Sequence, residues 1–192
     1  AEEQVRNRVD YLNTRVLNNT NQLGKITFNH SYSGYFSFAG DFTVGARVCL
    51  TGNYNQPNSG IIFWFGSAVS GYHLAYKNGR FFFRVNNATI STPSSSATTL
   101  ANVLTSNFVN VFGIRNGSSG IIHASWIDTV IGTGTYKSIR SATSVNISSI
   151  CAVPSALSAF ICGTTGSGSG FVGYIHEVKG FRVPLSDIDI QE

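Results

Sequence analysis

The stretch "GYIHEVKGFRVPLS", residues 173–186, sets a histidine and a carboxylate, His176 and Glu177, side by side in an apolar run punctuated by glycine. Adjacent residues of a regular strand point to opposite faces. The pair therefore reads as two occupants of one strand and not as a catalytic dyad. Nor does it read as a metal site, because His30, His73, His123 and His176 are far apart and none has a histidine partner at i,i+2 or i,i+4.

The same two-residue period extends through most of the chain. In "DFTVGARVCL", residues 41–50, Phe42, Val44, Ala46, Val48 and Leu50 share one face, and Thr43, Gly45, Arg47 and Cys49 share the other. That is the pattern of a half-buried antiparallel strand. "YHLAYKNGRFFFRVNN", residues 72–87, splits about Asn78-Gly79, a dipeptide suited to a type I′ hairpin turn because both residues tolerate positive φ. Further strands are expected in "GIIFWFGS" (60–67), "FVNVFGIRN" (108–116), "GIIHASWIDTVI" (120–131) and "SAFICGTT" (158–165). Their spacing and their Gly, Ser and Asn turns predict an all-β antiparallel sandwich. No helix-period segment is read after residue 27, and "STPSSSATTL" (91–100) reads as an exposed loop.

The first 26 residues follow a different rule. Apolar residues recur in steps of four and three, with Val5, Leu12, Asn19 and Ile26 at d and Val9, Val16 and Leu23 at a. Such a narrow stripe suits a coiled-coil seam better than a helix packed on its own domain, and a polar residue in the seam, here Asn19, sets register. The expected organisation is an N-terminal coiled-coil oligomerisation helix over 1–26 and a β-sandwich head over 27–192. Three heptads are too few to choose between two and three strands.

A chain of 192 residues supports one well-buried core. Charged residues form only 11%, against about 25% in ordinary soluble domains, so Ser, Thr, Asn and Gly must cover the surface as in secreted or virion-surface β-proteins. The net charge of +4 comes from scattered basic residues with no run or stripe, which favours anionic glycans over nucleic acid. No apolar run approaches the ~20 residues of a spanning helix, so membrane insertion is not expected. No signal-peptide pattern opens the sequence; Ala1 is compatible with an excised initiator methionine or with a cut fragment. Cys49, Cys151 and Cys162 have no metal spacing and are odd in number, and "VCL" and "FIC" read as core strands bearing buried free thiols.

With these strands in place, the stretch at 173–186 resembles the closing strand of laminin-G-like, concanavalin A-like jelly rolls. Gly173, Ile175, Glu177, Val178, Lys179, Phe181, Leu185 and Ser186 fit the family pattern in place. "DFTVGARVCL" looks like the family's early strand, and the segments 71–87 and 107–128 like its central hairpin and the strand pair after it. Three positions depart from the pattern: His176 replaces an Asp, Arg47 an early Trp and Gly180 an Ile. Some members bind calcium through rim aspartates, but the body here carries only Asp41 and Asp128 beside Glu177, too few carboxylates for a hard cation. A helical stalk leading into such a sandwich is the layout of viral and phage fibre tips, which implies a homotrimer.

Chemistry on this scaffold is poorly supported. Glycoside hydrolysis needs two carboxyls about 5 Å or 6.5–9.5 Å apart, and Glu177 stands alone with Lys179 two residues on. No G-x-S-x-G occurs, and "GSGFVG" (168–173) matches G-x-G-x-x-G but enters a strand, so it offers no helix N-terminus for phosphate. No catalytic residue, cofactor or metal is expected. Sugar recognition wants aromatic plates together with amides or charges. The candidates are Tyr54 in "TGNYNQPNSG", Tyr72 and His73, Arg115 and Asn116, Trp126, and Tyr136 in "GTGTYKS", with Trp64 and Trp126 equally readable as core. The expected function is a virion fibre head, on the virion surface or extracellular, that binds a host-surface receptor of carbohydrate type. The rival from another class is a purely structural decoration fibre, and a glycan-degrading enzyme comes third.

Overall fold

The computed structural model describes residues 9–11, 17–19, 26–28, 40–50, 60–66, 71–85, 88–105, 107–128, 134–144, 159–161 and 170–191. Its strands, in chain order, are β1 (Val9–Tyr11), β2 (Leu17–Asn19), β3 (Ile26–Phe28), β4 (Phe42–Leu50), β5 (Gly60–Gly66), β6 (Gly71–Lys77) and β7 (Arg80–Val85). They continue as β8 (Ala88–Ser91), β9 (Val109–Asn116), β10 (Ser119–Asp128), β11 (Thr135–Ser144), β12 (Ala159–Ile161) and β13 (Gly173–Phe181). Two helices, α1 (Ala97–Leu104) and α2 (Asp187–Gln191), complete the described elements.

The strands form two sheets. One runs β1-β13-β4-β9-β10-β11, with β2 also on β13, and the other runs β3-β12-β5-β6-β7-β8. The alternation in β4 falls as the sequence predicts: Phe42, Val44, Ala46, Val48 and Leu50 are buried between the sheets, and Arg47 is exposed on the outer face. Facing them from the six-stranded sheet are Phe63, Phe65, Tyr72, Leu74, Tyr76, Phe81 and Phe83. Burial of each such side chain stabilises by roughly 1.5–3 kcal/mol. The rings interlock by tilted and edge contacts, Phe42 with Tyr72 at 4.7 Å and Tyr76 with Phe171 at 5.8 Å and 88°. Gly113 leaves room for the opposing sheet, since a Cβ there would lie 2.3 Å from the Phe83 ring.

The hairpin between β6 and β7 turns on Asn78 (φ 48°) and Gly79 (φ 81°), the two positive φ values that a type I′ turn requires. Phe171 of the "GSGFVG" stretch is in the core, its amide donating to the Ile61 carbonyl at 3.0 Å just before β13 begins.

Three expectations need correction. The segment expected to be a coiled-coil helix supplies strands instead: Val9 pairs with Gly180, and Asn19 with Gly173, along one edge of β13. Ile26, at the end of the expected seam, pairs with Ile161 in the other sheet, and Val5, Leu12, Val16 and Leu23 lie outside the described residues. The physical reason is that β13 has a free edge opposite β4, and its unpaired N–H and C=O groups are satisfied by pairing. A lone two-per-seven helix would leave them open.

The second correction concerns residues 91–100, which are not a loop throughout. Ser91 ends β8, Ser94–Ser96 make a 3-10 turn, and α1 starts at Ala97. Leu100 and Leu104 are buried, so the i,i+4 apolar pair was a helix signal hidden by the Ser-rich run before it.

The third correction is within β13. Ile175 pairs with Val48 and Glu177 with Arg47, leaving His176 as the extra residue of a bulge. Ile175 and Val178 both belong to the core, so His176 and Glu177, between them, are not divided between two faces as a regular strand would divide them.

Cys49 is a free, half-buried thiol whose Sγ donates to the Leu104 carbonyl at 3.1 Å, and burial raises its pKa. Cys151 and Cys162 lie outside the described residues. Among the described residues no helix is long and apolar enough to cross a membrane.

Candidate functional site

The outer face of the seven-stranded sheet is covered at one end and open at the other. At the covered end, Leu185 is buried and donates its amide to Thr43 Oγ1 at 2.9 Å, while that hydroxyl donates to the Val183 carbonyl at 2.9 Å. These bonds lay the C-terminal segment across β4. Helix α2 follows, with Ser186 and Asp189 capping its start at 2.8–3.3 Å and Asp187 lying 3.6 Å from Arg140 of β11.

At the open end the register assembles a polar row. Glu177 lies opposite Arg47, Arg47 opposite Asn110, Asn110 opposite Ser125, and Ser125 opposite Ser138. Phe108, just before β9, sits under the Arg47 guanidinium, with Cζ 5.0 Å from the ring centroid. The His176 ring, at the bulge, lies tilted against Phe108 with centroids 6.2 Å apart.

Here the face is hollowed into a cavity of about 320 Å³. Arg47, Asn107, Phe108, Asn110 and Ser125 line one side of it. Trp126, Ile127, Tyr136 and, from α2, Ile190 complete the lining.

The charges are unevenly satisfied. Lys179 holds Glu177 at 2.8 Å. Burial pushes the Glu177 carboxyl up, but the Lys179 hydrogen bond and the charges of Lys179, His176 and Arg47 outweigh it, leaving the pKa below the usual carboxylate value. Among the described residues no carboxylate lies within 4.0 Å of Arg47. The Tyr136 hydroxyl is buried and has no hydrogen-bond partner among the described residues. A buried donor left unsatisfied is unfavourable by about 1–3 kcal/mol.

The expected site residues scatter. Trp126 and Tyr136 both border the cavity, though Trp126 is only 5% exposed and belongs to the core between the sheets. Tyr72 is in the core, its ring 5.5–5.8 Å from those of Phe63 and Phe65, and is closed to any ligand. The alternation that exposes His73 turns its neighbour inward.

His73 is on the outer face of the other sheet. It stacks on Trp64 at 4.7 Å and 6° beside Arg84, and burial together with the Arg84 charge lowers its pKa to about 4. Trp64 is thus outside the core, with its Nε1 donating to the Gly66 carbonyl at 2.9 Å. Arg115 is buried near the end of β9 and reaches the Gly40 carbonyl at 3.4 Å, and Asn116 is exposed beside the β9–β10 turn. Tyr54 lies outside the described residues.

Arg47, Asn107, Phe108 and Asn110 had no place among the expected ligands. Arg47 alone gave a signal, as an exposed cation where the resembling family has an aromatic. Among the described residues no group of three or more His, Cys, Asp or Glu side chains could hold a metal ion.

No protein-family model matches the chain, and neither does any curated protein sequence. Solved structures do share its fold. The Ruminococcus gnavus IT-sialidase CBM40 superposes with a TM-score of 0.61 at 12% identity, over 91% of this chain and 95% of that one. The LG1-3 region of the laminin alpha2 chain gives 0.56 at 15% identity, over 90% of this chain. The botulinum neurotoxin serotype D ligand binding domain, solved in complex with N-acetylneuraminic acid, gives 0.57 at 14% identity, over 95% of this chain. The chain spans 32% of the laminin region and 44% of the toxin domain. At these identities the likeness establishes the fold, a β-sandwich of the jelly-roll kind that the closing strand suggests.

Proposed function

We propose that this chain is a carbohydrate-binding domain, its N-terminal strands included, that recognises a glycan in the cavity on its seven-stranded sheet. The observation that carries the reading is the convergence there of a guanidinium stacked on an aromatic ring and two primary amides. Amides and a cation bind hydroxyls or acids directionally. The neighbours in fold support binding as the class: one is a ligand binding domain holding a sugar, another a CBM40.

A glycan array probed with the intact chain tests the reading. Binding that is lost in Asn110→Ala and Phe108→Ala, with unchanged melting temperatures, is the expected result. An array without hits, or hits indifferent to both substitutions, would overturn it and favour a structural role.

Display as a trimeric virion fibre head is a further step in the same proposal. It draws on the uncharged polar surface, but no longer on a helical seam through Val9 and Asn19, which are strand residues. Sedimentation velocity decides it: a trimer is the expected species, and a monomer at micromolar concentration removes the fibre assignment while leaving glycan binding intact.

A further inference from the structure

The cavity is divided into two chemically different halves, and the division specifies a ligand class. One half is ionic. Arg47 is exposed, its guanidinium rests on Phe108, and Glu177, the carboxylate opposite it in register, is already engaged by Lys179 at 2.8 Å. Arg47 therefore presents its planar donor fork outward with no countercharge within 4.0 Å among the described residues. Asn107 and Asn110 line the cavity beside it.

The other half is apolar. Ile127, near the end of β10 where only β11 pairs with it, is 50% exposed, one of two exposed large hydrophobic side chains among the described residues, and Ile190 of α2 borders the same cavity. Two elements distant in sequence thus contribute an isoleucine each to one wall. The second is held in place by the Leu185 anchor to Thr43 and by the Asp187–Arg140 pair. A neutral polyhydroxyl ligand would leave both features unused: the guanidinium would gain no ion pair, and the isoleucines would face hydroxyls.

We propose that the cavity takes a sugar acid carrying an apolar substituent such as an acyl group, the carboxylate on Arg47 and the substituent between Ile127 and Ile190. This rests on the carbohydrate-binding reading above. Arg matches a carboxylate bidentately, and burial of a methyl-sized group against the isoleucines adds affinity in proportion to the area covered.

The test is titration of the intact chain with the methyl glycoside of N-acetylneuraminic acid, with its carboxyl-reduced and de-N-acetylated forms, and with a sulfated N-acetylhexosamine. Reduction of the carboxyl is expected to weaken binding at least about tenfold in the parent chain and less than about twofold in Arg47→Ala. Removal of the acetyl group is expected to weaken binding by about fivefold or more in the parent, with little further change in Ile190→Ser or Ile127→Ser. Thermal melts establish that each variant is folded.

Equal affinity for the reduced form, with Asn110→Ala still abolishing binding, would overturn the ligand class and leave the site standing. Arg47-dependent binding of the sulfated sugar in preference to the carboxylate would overturn the assignment of the acid. Binding of none of the probes, by a chain that an array shows to bind other glycans at the same cavity, would overturn the class as well. A chain that binds no glycan at all would overturn the underlying reading with it.

Discussion

His73 shows how one side chain links position to pH response. Stacked on Trp64 and next to Arg84, it has a pKa of about 4 in the folded chain against 6.5 in the unfolded one. Between those values the unfolded chain takes up a proton that folded His73 refuses, so stability is full above about pH 6.5 and falls as pH drops toward 4. His123, buried on β10 opposite Arg140 of β11, is shifted the same way by desolvation and by Arg140, with Asp187 opposing. Melting temperatures taken from pH 7 to 4.5 should decline in the parent chain and decline less in His73→Phe, which keeps the stack without the proton site. An identical slope in the two would mean that His73 is solvated. Glu177 acts in a lower window. Its depressed pKa gives stability that is present above 4.5 and lost as pH falls through the folded value, so Glu177→Gln should flatten the melting curve below pH 4.5 and cost up to about 1 kcal/mol at neutral pH. Both residues looked chemical in the sequence. Neither His176 nor Glu177 announced the bulge that keeps them together, because a bulge depends on how β13 meets β4 and not on the residues of β13 alone.

At the scale of elements, the hairpin and the inter-sheet contact make opposite demands on glycine. Gly79 must adopt φ 81°, and a Cβ there would also meet the Ala97 carbonyl oxygen at 2.0 Å, so Gly79→Ala should destabilise by more than about 1 kcal/mol in urea unfolding. Gly113 is needed for space instead. Gly113→Ala drives a methyl into the Phe83 ring and should cost about 1–3 kcal/mol, partly restored by Phe83→Leu in the same chain. Helix α1 is held by Leu100 and Leu104, and Leu104→Ala should cost about 2–5 kcal/mol. The hairpin was legible because Asn-Gly is a local signal. Helix α1 was not, because its two buried leucines follow a Ser- and Thr-rich run whose composition matches an exposed loop.

For the whole molecule, the N-terminal strands close the edge of β13 that β4 leaves open. A chain starting at residue 27 should melt at lower temperature and form concentration-dependent aggregates through that edge, seen by sedimentation and light scattering. A clean monomer with the parent melting temperature would show that β1 and β2 contribute nothing. The heptad spacing at 1–26 pointed elsewhere for a physical reason. Steps of three and four place residues on one side of a helix, but short segments such as Val9–Tyr11 pair with whatever edge lies nearest, and propensity over so few residues does not resist it.

The sequence by itself determined the all-β antiparallel class, the inward face of β4, the turn at Asn78-Gly79 and the likeness of the closing strand to jelly rolls. All of these follow from alternation and turn chemistry within a few residues of each other. Only the tertiary structure decided where a ligand has room. Arg47, Phe108, Asn110, Tyr136 and Ile190 come from separate strands, a strand-end segment and a terminal helix, up to 143 positions apart in the chain. They meet because β4 lies between β13 and β9 and because the C-terminal segment folds back over Thr43. Such convergence depends on sheet order and register, which no local pattern of residues encodes.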